Sequence, residues 1–278
     1  MDIRLIALDL DGTALNSDGH ISEATRAAFE KADRMGISIA IATGRPFKAL
    51  PEEIYSIPFI RYAITSNGTA IYDLRDGRNL YRSTLSEENL ETLLDILLPF
   101  GVVLEASVAG LPCSSKEFLQ NLEAYGVNER SAGYLRKTRV PIDDIIQYIR
   151  DNREVTEAIN VIVTDPEKKE EIRFSVKQIP SLYVTSSAPH FLEFATAGTS
   201  KESSLSMMAS MLGAAREQVI AFGDSDNDLE MIRYAGIGVA MGNAVPALKE
   251  AADYVTLTND EDGVAAALHK FILFPASE

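Results

Sequence analysis

Asp9 and Asp11 stand on either side of Leu10 in Asp9-Leu10-Asp11-Gly12-Thr13, directly after the apolar run 4–8. If the chain continued extended through them, both carboxylates would lie on one face. Two unpaired carboxylates that close repel, and one takes up a proton unless a cation sits between them. Near the other end of the chain, Asp224 and Asp228 add two more acids in Gly223-Asp224-Ser225-Asp226-Asn227-Asp228. Clustered acids without His or Cys form a hard-oxygen donor set, which suits Mg²⁺. The three histidines, His20, His190 and His269, are scattered, against a His-based zinc site or a Ser-His-Asp triad. Any one of these acids alone is as readily a turn former or helix cap. The set carries the argument.

A site of this kind that took a phosphoryl group would need donors and cations around its oxygens. Thr43 offers a hydroxyl, Gly44 and Leu10 offer backbone N–H groups, and Lys201 offers an ammonium. A lysine alone at the start of a helix is usually solvated. Lys201 stands out because it follows a short small-residue segment, 195–200, that reads as a hinge.

The elements that must position these groups follow from periodicity. Short β-rich runs alternate with amphipathic stretches, the pattern of a parallel α/β sheet. Strands are predicted at 4–8, 37–42 and 61–65, ending at Asp9, Thr43 and Ser66-Asn67-Gly68. A helix is predicted from the N-cap Ser22 to Met35 with Gly36 as its stop, and a hairpin around Asp76-Gly77. From Leu85 the texture changes: Leu90, Leu93, Leu94, Leu97 and Leu98 make a core-facing helical stripe, 160–163 and 182–184 read as strands of a separate, partly antiparallel sheet, a further helix starts after Pro166, and 191–194 closes the region. The first pattern resumes with a helix at 201–212, a strand at 218–222 ending at Asp224, and strands at 238–241 and 254–257. The expected fold is thus α/β, a doubly wound, mostly parallel, Rossmann-like core sheet with an inserted α/β cap. The core comprises 1–84 and 195–278, and the insertion 85–194. In such sheets ligands bind beyond the carboxyl ends of the strands, where Asp9, Thr43, Asn67 and Asp224 all fall.

Composition narrows the partners. With 26 basic against 41 acidic residues and a net charge of −15, the surface repels nucleic acid and anionic membranes. The single Cys113 forms no internal disulfide and reads as a small buried residue of a reducing compartment. No apolar run approaches the roughly 18 residues of a membrane span, and no signal-peptide pattern is present. A soluble, cytoplasmic protein, monomer or homodimer, is expected. Gly236-Ile237-Gly238-Val239-Ala240-Met241 begins like a dinucleotide fingerprint, but Met241 occupies the last glycine position and the run opens a strand.

Taken in order, Asp9-Leu10-Asp11-Gly12-Thr13, Thr43-Gly44-Arg45, Lys201 and the Gly223–Asp228 run resemble the four motifs of the haloacid dehalogenase-like superfamily. The insertion, Asn67-Gly68, Met241-Gly242-Asn243-Ala244 and Asp262-Gly263-Val264-Ala265 resemble its Cof-type sugar-phosphatase-like subfamily. Two positions depart from that pattern: Glu202 follows the lysine where glycine is usual, and Ser66 precedes Asn-Gly where an acid is common. The resemblance implies an Mg²⁺-dependent phosphatase acting on a small phosphorylated metabolite. Asp9 would be the nucleophile that carries the phosphoryl group, and Asp11 the acid and then the base. Asp9, the Asp11 carbonyl and Asp224 would hold the metal, with Asp228 behind them. Leu10, Thr43, Gly44, Lys201 and Asn227 would hold the phosphoryl oxygens, while Arg45 and Asn67 would face the rest of the substrate. A phosphomutase shares these motifs. A non-enzymatic phospho-accepting protein is the other rival, against which Asp11 argues; dehalogenation would need neither Asp11 nor the metal acids.

Overall fold

The computed structural model describes residues 2–127, 129–186 and 190–273, so the end of the 195–278 segment lies outside the described residues. In chain order the strands are β1 (Leu5–Leu8), β2 (Ser38–Ala42), β3 (Ile60–Thr65), β4 (Ala70–Asp73), β5 (Arg78–Arg82), β6 (Val103–Val108), β7 (Leu111–Ser115), β8 (Val140–Ile142), β9 (Thr156–Ile162), β10 (Leu182–Thr185), β11 (Phe191–Thr196), β12 (Val219–Gly223), β13 (Ile237–Ala240) and β14 (Tyr254–Val255). The chain divides into two compact units: Met1–Gly44 with Pro51–Tyr81 and Ser200–Glu278, and Arg45–Leu50 with Arg82–Thr199.

The first unit is built on an eight-stranded sheet in the order β14-β13-β12-β1-β2-β3-β4-β5. It is parallel from β14 to β3, and β4 turns back antiparallel on β3. β1 and β12 are buried at every residue, as strands covered on both faces must be. From the line between β1 and β12 the chain winds outward in both directions. Right-handed crossovers taken in opposite directions put their helices on opposite faces, so the fold is doubly wound. That line is the topological switch point, where a ligand crevice opens.

Helix Glu23–Arg34 shows how local sequence sets these crossovers. The Ser22 side chain caps it by accepting from the Thr25 N–H, and Thr25, Ala28, Phe29 and Ala32 bury one face at helical spacing. Gly36, at φ 80°, ends it in the left-handed region where a side chain is disfavoured.

The second unit has a six-stranded sheet, β10-β11-β9-β6-β7-β8, antiparallel except between β7 and β8. One face packs Leu104, Ala106, Ile159, Val161, Leu192 and Phe194 against Leu90, Leu93, Leu94 and Leu97 of helix Glu87–Leu97. Leu98 leaves the predicted stripe and is 40% exposed. The helix ends at Leu97, and the tighter turn Leu98–Phe100 around Pro99 rotates the next side chain outward. The segment read as a hinge begins two residues late, since Ala195 and Thr196 still pair in β11 with Tyr183 and Leu182.

Candidate active site

Four neighbouring strands, β12, β1, β2 and β3, end at Asp224, Asp9, Thr43 and Ser66 respectively. The parallel register aligns Leu8 with Phe222, and the Asp9 N–H donates to the Phe222 carbonyl at 2.9 Å. The sheet thereby brings acids from opposite ends of the chain together. Carboxylate oxygens of Asp9, Asp224 and Asp228 lie within 4.8 Å of one another.

Lys201 lies between two of them. Its Nζ donates to Asp9 Oδ1 at 2.7 Å and to Asp228 Oδ1 at 2.6 Å, and the residue is only 1% exposed. Helix Lys201–Met211 delivers it: Ser200 is the N-cap and forms a reciprocal box with Ser203, so the helix begins at the lysine itself. Asp228 turns its second oxygen to the backbone N–H groups of Asp224 (3.0 Å) and Ser225 (3.1 Å). Both its oxygens are therefore engaged, and it fixes the loop after β12. Gly223 is required beside it, because a Cβ there would fall 2.5 Å from the Asp228 Cβ.

Burial pushes the Asp9 carboxyl well above the usual range; Lys201 opposes this, while Asp228, Asp224 and Asp11 add to it. Asp224 is raised as well, by burial and by Asp228, against hydrogen bonds from Thr13 Oγ1 (3.0 Å) and Ser225 Oγ (3.1 Å). The Lys201 ammonium is displaced upward: burial disfavours its charge, but Asp228 and Asp9 outweigh that. One ammonium among three acids leaves net negative charge in a buried space. Oxygen-only donors with that deficit fit a hard dication such as Mg²⁺.

Asn67 and Asn227 are buried and meet, Asn227 Nδ2 donating to Asn67 Oδ1 at 2.9 Å. The Asn67 N–H donates to the Thr43 carbonyl at 3.0 Å, tying the ends of β2 and β3 together. Leu10 is buried, Gly44 half-buried, and Thr43 2% exposed. The extended path expected through Asp9 and Asp11 is not what forms. β1 stops at Leu8, and the chain turns, with the Ala14 N–H on the Asp9 carbonyl (3.2 Å) and the Leu15 N–H on that of Leu10 (2.9 Å). Asp11 is exposed, although its charge still acts on Asp9. Arg45 groups with the second unit, where its guanidinium donates to the Ala49 carbonyl (3.3 Å) and lies 4.7 Å from the Tyr134 ring centre. Glu202 has its carboxyl raised by burial and by Glu230. The sequence reading assigned nothing to Thr13, Ser225 or Ser200. The signal was available, since a hydroxyl inside an acid-rich loop or just before a helix has such a partner to find.

A doubly wound sheet presenting converging carboxylates and a buried ammonium at its carboxyl edge is the build of an enzyme that handles an anionic group. Residues 6–268 match the family model of the haloacid dehalogenase-like hydrolases, and the chain belongs to that family. It is 32% identical over 274 residues to the 5-amino-6-(5-phospho-D-ribitylamino)uracil phosphatase YcsE of Bacillus subtilis, covering 98% of this chain and 97% of that protein. It is 30% identical to the putative phosphatase YxeH of the same organism, over 97% of this chain and 98% of the relative. Among solved structures, a haloacid dehalogenase-like hydrolase from B. subtilis superposes with a TM-score of 0.86 at 30% identity, covering 97% and 100% of the two chains. The subclass IIB sugar phosphatase BT4131 superposes with 0.79 at 25% identity, over 96% and 98%. The chain is a hydrolase of the phosphatase type within this family.

Proposed function

We propose that the protein is an Mg²⁺-dependent phosphomonoesterase for a small phosphorylated metabolite, a sugar or polyol phosphate, acting through a phosphorylated Asp9. The observation that carries this reading is the convergence of Asp9, Asp224 and Asp228 within 4.8 Å around the buried Lys201. An Asp9 oxygen attacks phosphorus, the P–O bond to the alcohol breaks, and Asp11 gives its proton to the departing oxygen. Asp11 then takes a proton from the water that attacks the aspartyl phosphate, which restores Asp9 and releases inorganic phosphate. Lys201, the Thr43 hydroxyl, Asn227 and the N–H groups of Leu10 and Gly44 hold the transferred oxygens. Mg²⁺, held by Asp9, Asp224 and the Asp11 carbonyl with Asp228 supporting Asp224, supplies neutralisation of charge on nucleophile and phosphoryl group. Arg45 and Asn67 face the leaving alcohol, and the insertion at 85–194 selects it.

The substrate class is supported by the relatives' names, one being a phosphatase of a phosphorylated ribityl chain and another a sugar phosphatase. The net charge of −15 fits a compact metabolite better than a long polyanion, and the buried free Cys113 fits a reducing, cytoplasmic setting. The test is phosphate release from a panel of phosphorylated sugars, polyols and ribitylaminouracils with Mg²⁺. Activity is expected to vanish in chelator and return with Mg²⁺. Asp9→Asn is expected to release no phosphate and to carry no covalent phosphate by mass. Full turnover in chelator, or by Asp9→Asn, overturns the reading.

A further inference from the structure

We infer that Asn243, Asn259 and Asp260 form a brace that fixes the loop 10–17 and thereby positions Asp11 for proton transfer, a role that rests on the acid–base reading of Asp11 given above. Asp11 is exposed, so where its loop sits bears directly on where its carboxylate sits. Inside that loop, the N–H groups of Ala14 and Leu15 are used on the carbonyls of Asp9 and Leu10. The carbonyls of Gly12 and Leu15 are met from across the sheet edge, by Asn243 Nδ2 at 2.8 Å and Asn259 Nδ2 at 2.9 Å. Ser17 gives both its N–H and its hydroxyl to the two oxygens of Asp260, at 2.7 and 2.6 Å. Leu15 is also the residue bridged to Asp11 through the backbone, so the Asn259 contact lies one step from the proposed acid.

The brace is itself held. Asn243 accepts from the Asn259 N–H at 3.1 Å while donating to Gly12, and these two partners fix the orientation of its amide. The Gly242 N–H reaches the Leu257 carbonyl at 2.9 Å, and the Gly263 N–H that of Thr258 at 3.0 Å. A Cβ on Gly263 would fall 2.1 Å from the Leu257 oxygen, and one on Gly242 2.8 Å from the Thr258 nitrogen. The Met241-Gly242-Asn243-Ala244 and Asp262-Gly263-Val264-Ala265 runs thereby acquire a purpose that the phosphoryl chemistry alone did not give them. The two Ser17 hydrogen bonds hold the Asp260 carboxyl below its ordinary range, so it stays charged around neutrality.

The experiment compares kcat/KM for benzyl phosphate, whose alkoxide must be protonated as it leaves, with p-nitrophenyl phosphate, whose phenolate leaves unaided. This ratio reports only the steps up to alcohol departure, so hydrolysis of the aspartyl phosphate does not blur it. Asn259→Ala and Asp260→Ala are expected to lose roughly 10- to 100-fold on benzyl phosphate, the scale of a misplacement near 1 Å. On p-nitrophenyl phosphate, which still needs the Leu10 N–H and the Asp11 carbonyl of the same loop but not the Asp11 proton, the loss should be at least about threefold smaller, with the melting temperature only slightly lowered because the net contribution of one hydrogen bond is modest. Asp11→Asn should show the same selectivity more strongly, and adding Asn259→Ala to it should make the two esters no more unequal. Equal losses on both esters, or a further selective loss of benzyl phosphate turnover in the Asp11→Asn background, would overturn the brace. If Asp11→Asn itself slowed both esters equally, the acid role would fail and the brace's purpose with it; a selective Asp11→Asn beside unselective brace variants would remove the brace alone.

Discussion

Lys201 is an ammonium between two carboxylates in a space that water barely reaches, and the energetics of the three groups differ in sign. Removing the cation leaves Asp9 and Asp228 buried and facing each other. Breaking a buried pair in this way typically costs about 3–5 kcal/mol. Asp9 is the reverse case, because burial and three neighbouring acids make its ionised form costly to the fold without a dication. Lys201→Met is therefore expected to lower the melting temperature sharply, while Asp9→Asn in chelator should leave it unchanged or raised although turnover is lost. A differential scan of both variants decides this; an Asp9→Asn protein less stable than wild type would show that the Asp9–Lys201 pair outweighs the repulsion. In the sequence Lys201 was one lysine at a helix start. Only the resemblance, with the small residues before it, distinguished it, since the partners that let its charge be buried stand 192 and 27 positions away.

At the scale of elements, the strand ends were legible because each β-rich run stops at a polar residue in a parallel α/β pattern. Their order across the sheet was not, as it depends on which crossovers wind in which direction. The hairpin of β6 and β7 was missed for a local reason. Its two-residue turn is Ala109-Gly110, with Ala109 at φ 51° where Asn, Asp or Gly is the recognisable signal. The turn at Ser66-Asn67-Gly68 is likewise unusual, with all three residues at positive φ. Gly68 is obligatory there, since a Cβ would lie 2.0 Å from the Ser200 carbonyl at the start of the Lys201 helix. Elements are also joined by Glu53 of the short helix Glu52–Ser56, which accepts from the Ile21 N–H (3.0 Å), His20 Nδ1 (3.0 Å) and Arg26. Burial alone would raise its carboxyl, but these bonds hold it below the ordinary value of 4.5. A depressed acid contributes stability that is present above the unfolded pKa and is lost as pH falls through the folded one. Glu53→Gln is accordingly expected to cost about 1 kcal/mol at pH 7 and progressively less below about pH 4. Urea titrations of both proteins at several pH values measure the gap; one that stayed constant to pH 3 would assign the effect to packing.

The whole molecule carries a net charge of −15, whereas the proposed chemistry needs a phosphate dianion to approach a cationic point at one edge of a sheet. Two fields compete over that approach. The global one repels, and it reaches far at low ionic strength, where the screening length is about 30 Å at 0.01 M. The local one, from Lys201 and a bound dication, attracts, but three clustered acids partly cancel it. Added salt weakens the long-range field first, because at about 0.15 M the screening length is only about 8 Å. If the global charge governs encounter, kcat/KM for a phosphate monoester should rise roughly twofold or more between low and physiological salt. The value of kcat should barely move, since chemistry and release occur inside the screened site. Free Mg²⁺ must be held constant and saturating across the series, so that salt does not act through metal occupancy. A fall in kcat/KM with salt would reverse the conclusion, making the site's own cations strong enough to draw substrate in against the charge of the rest of the chain.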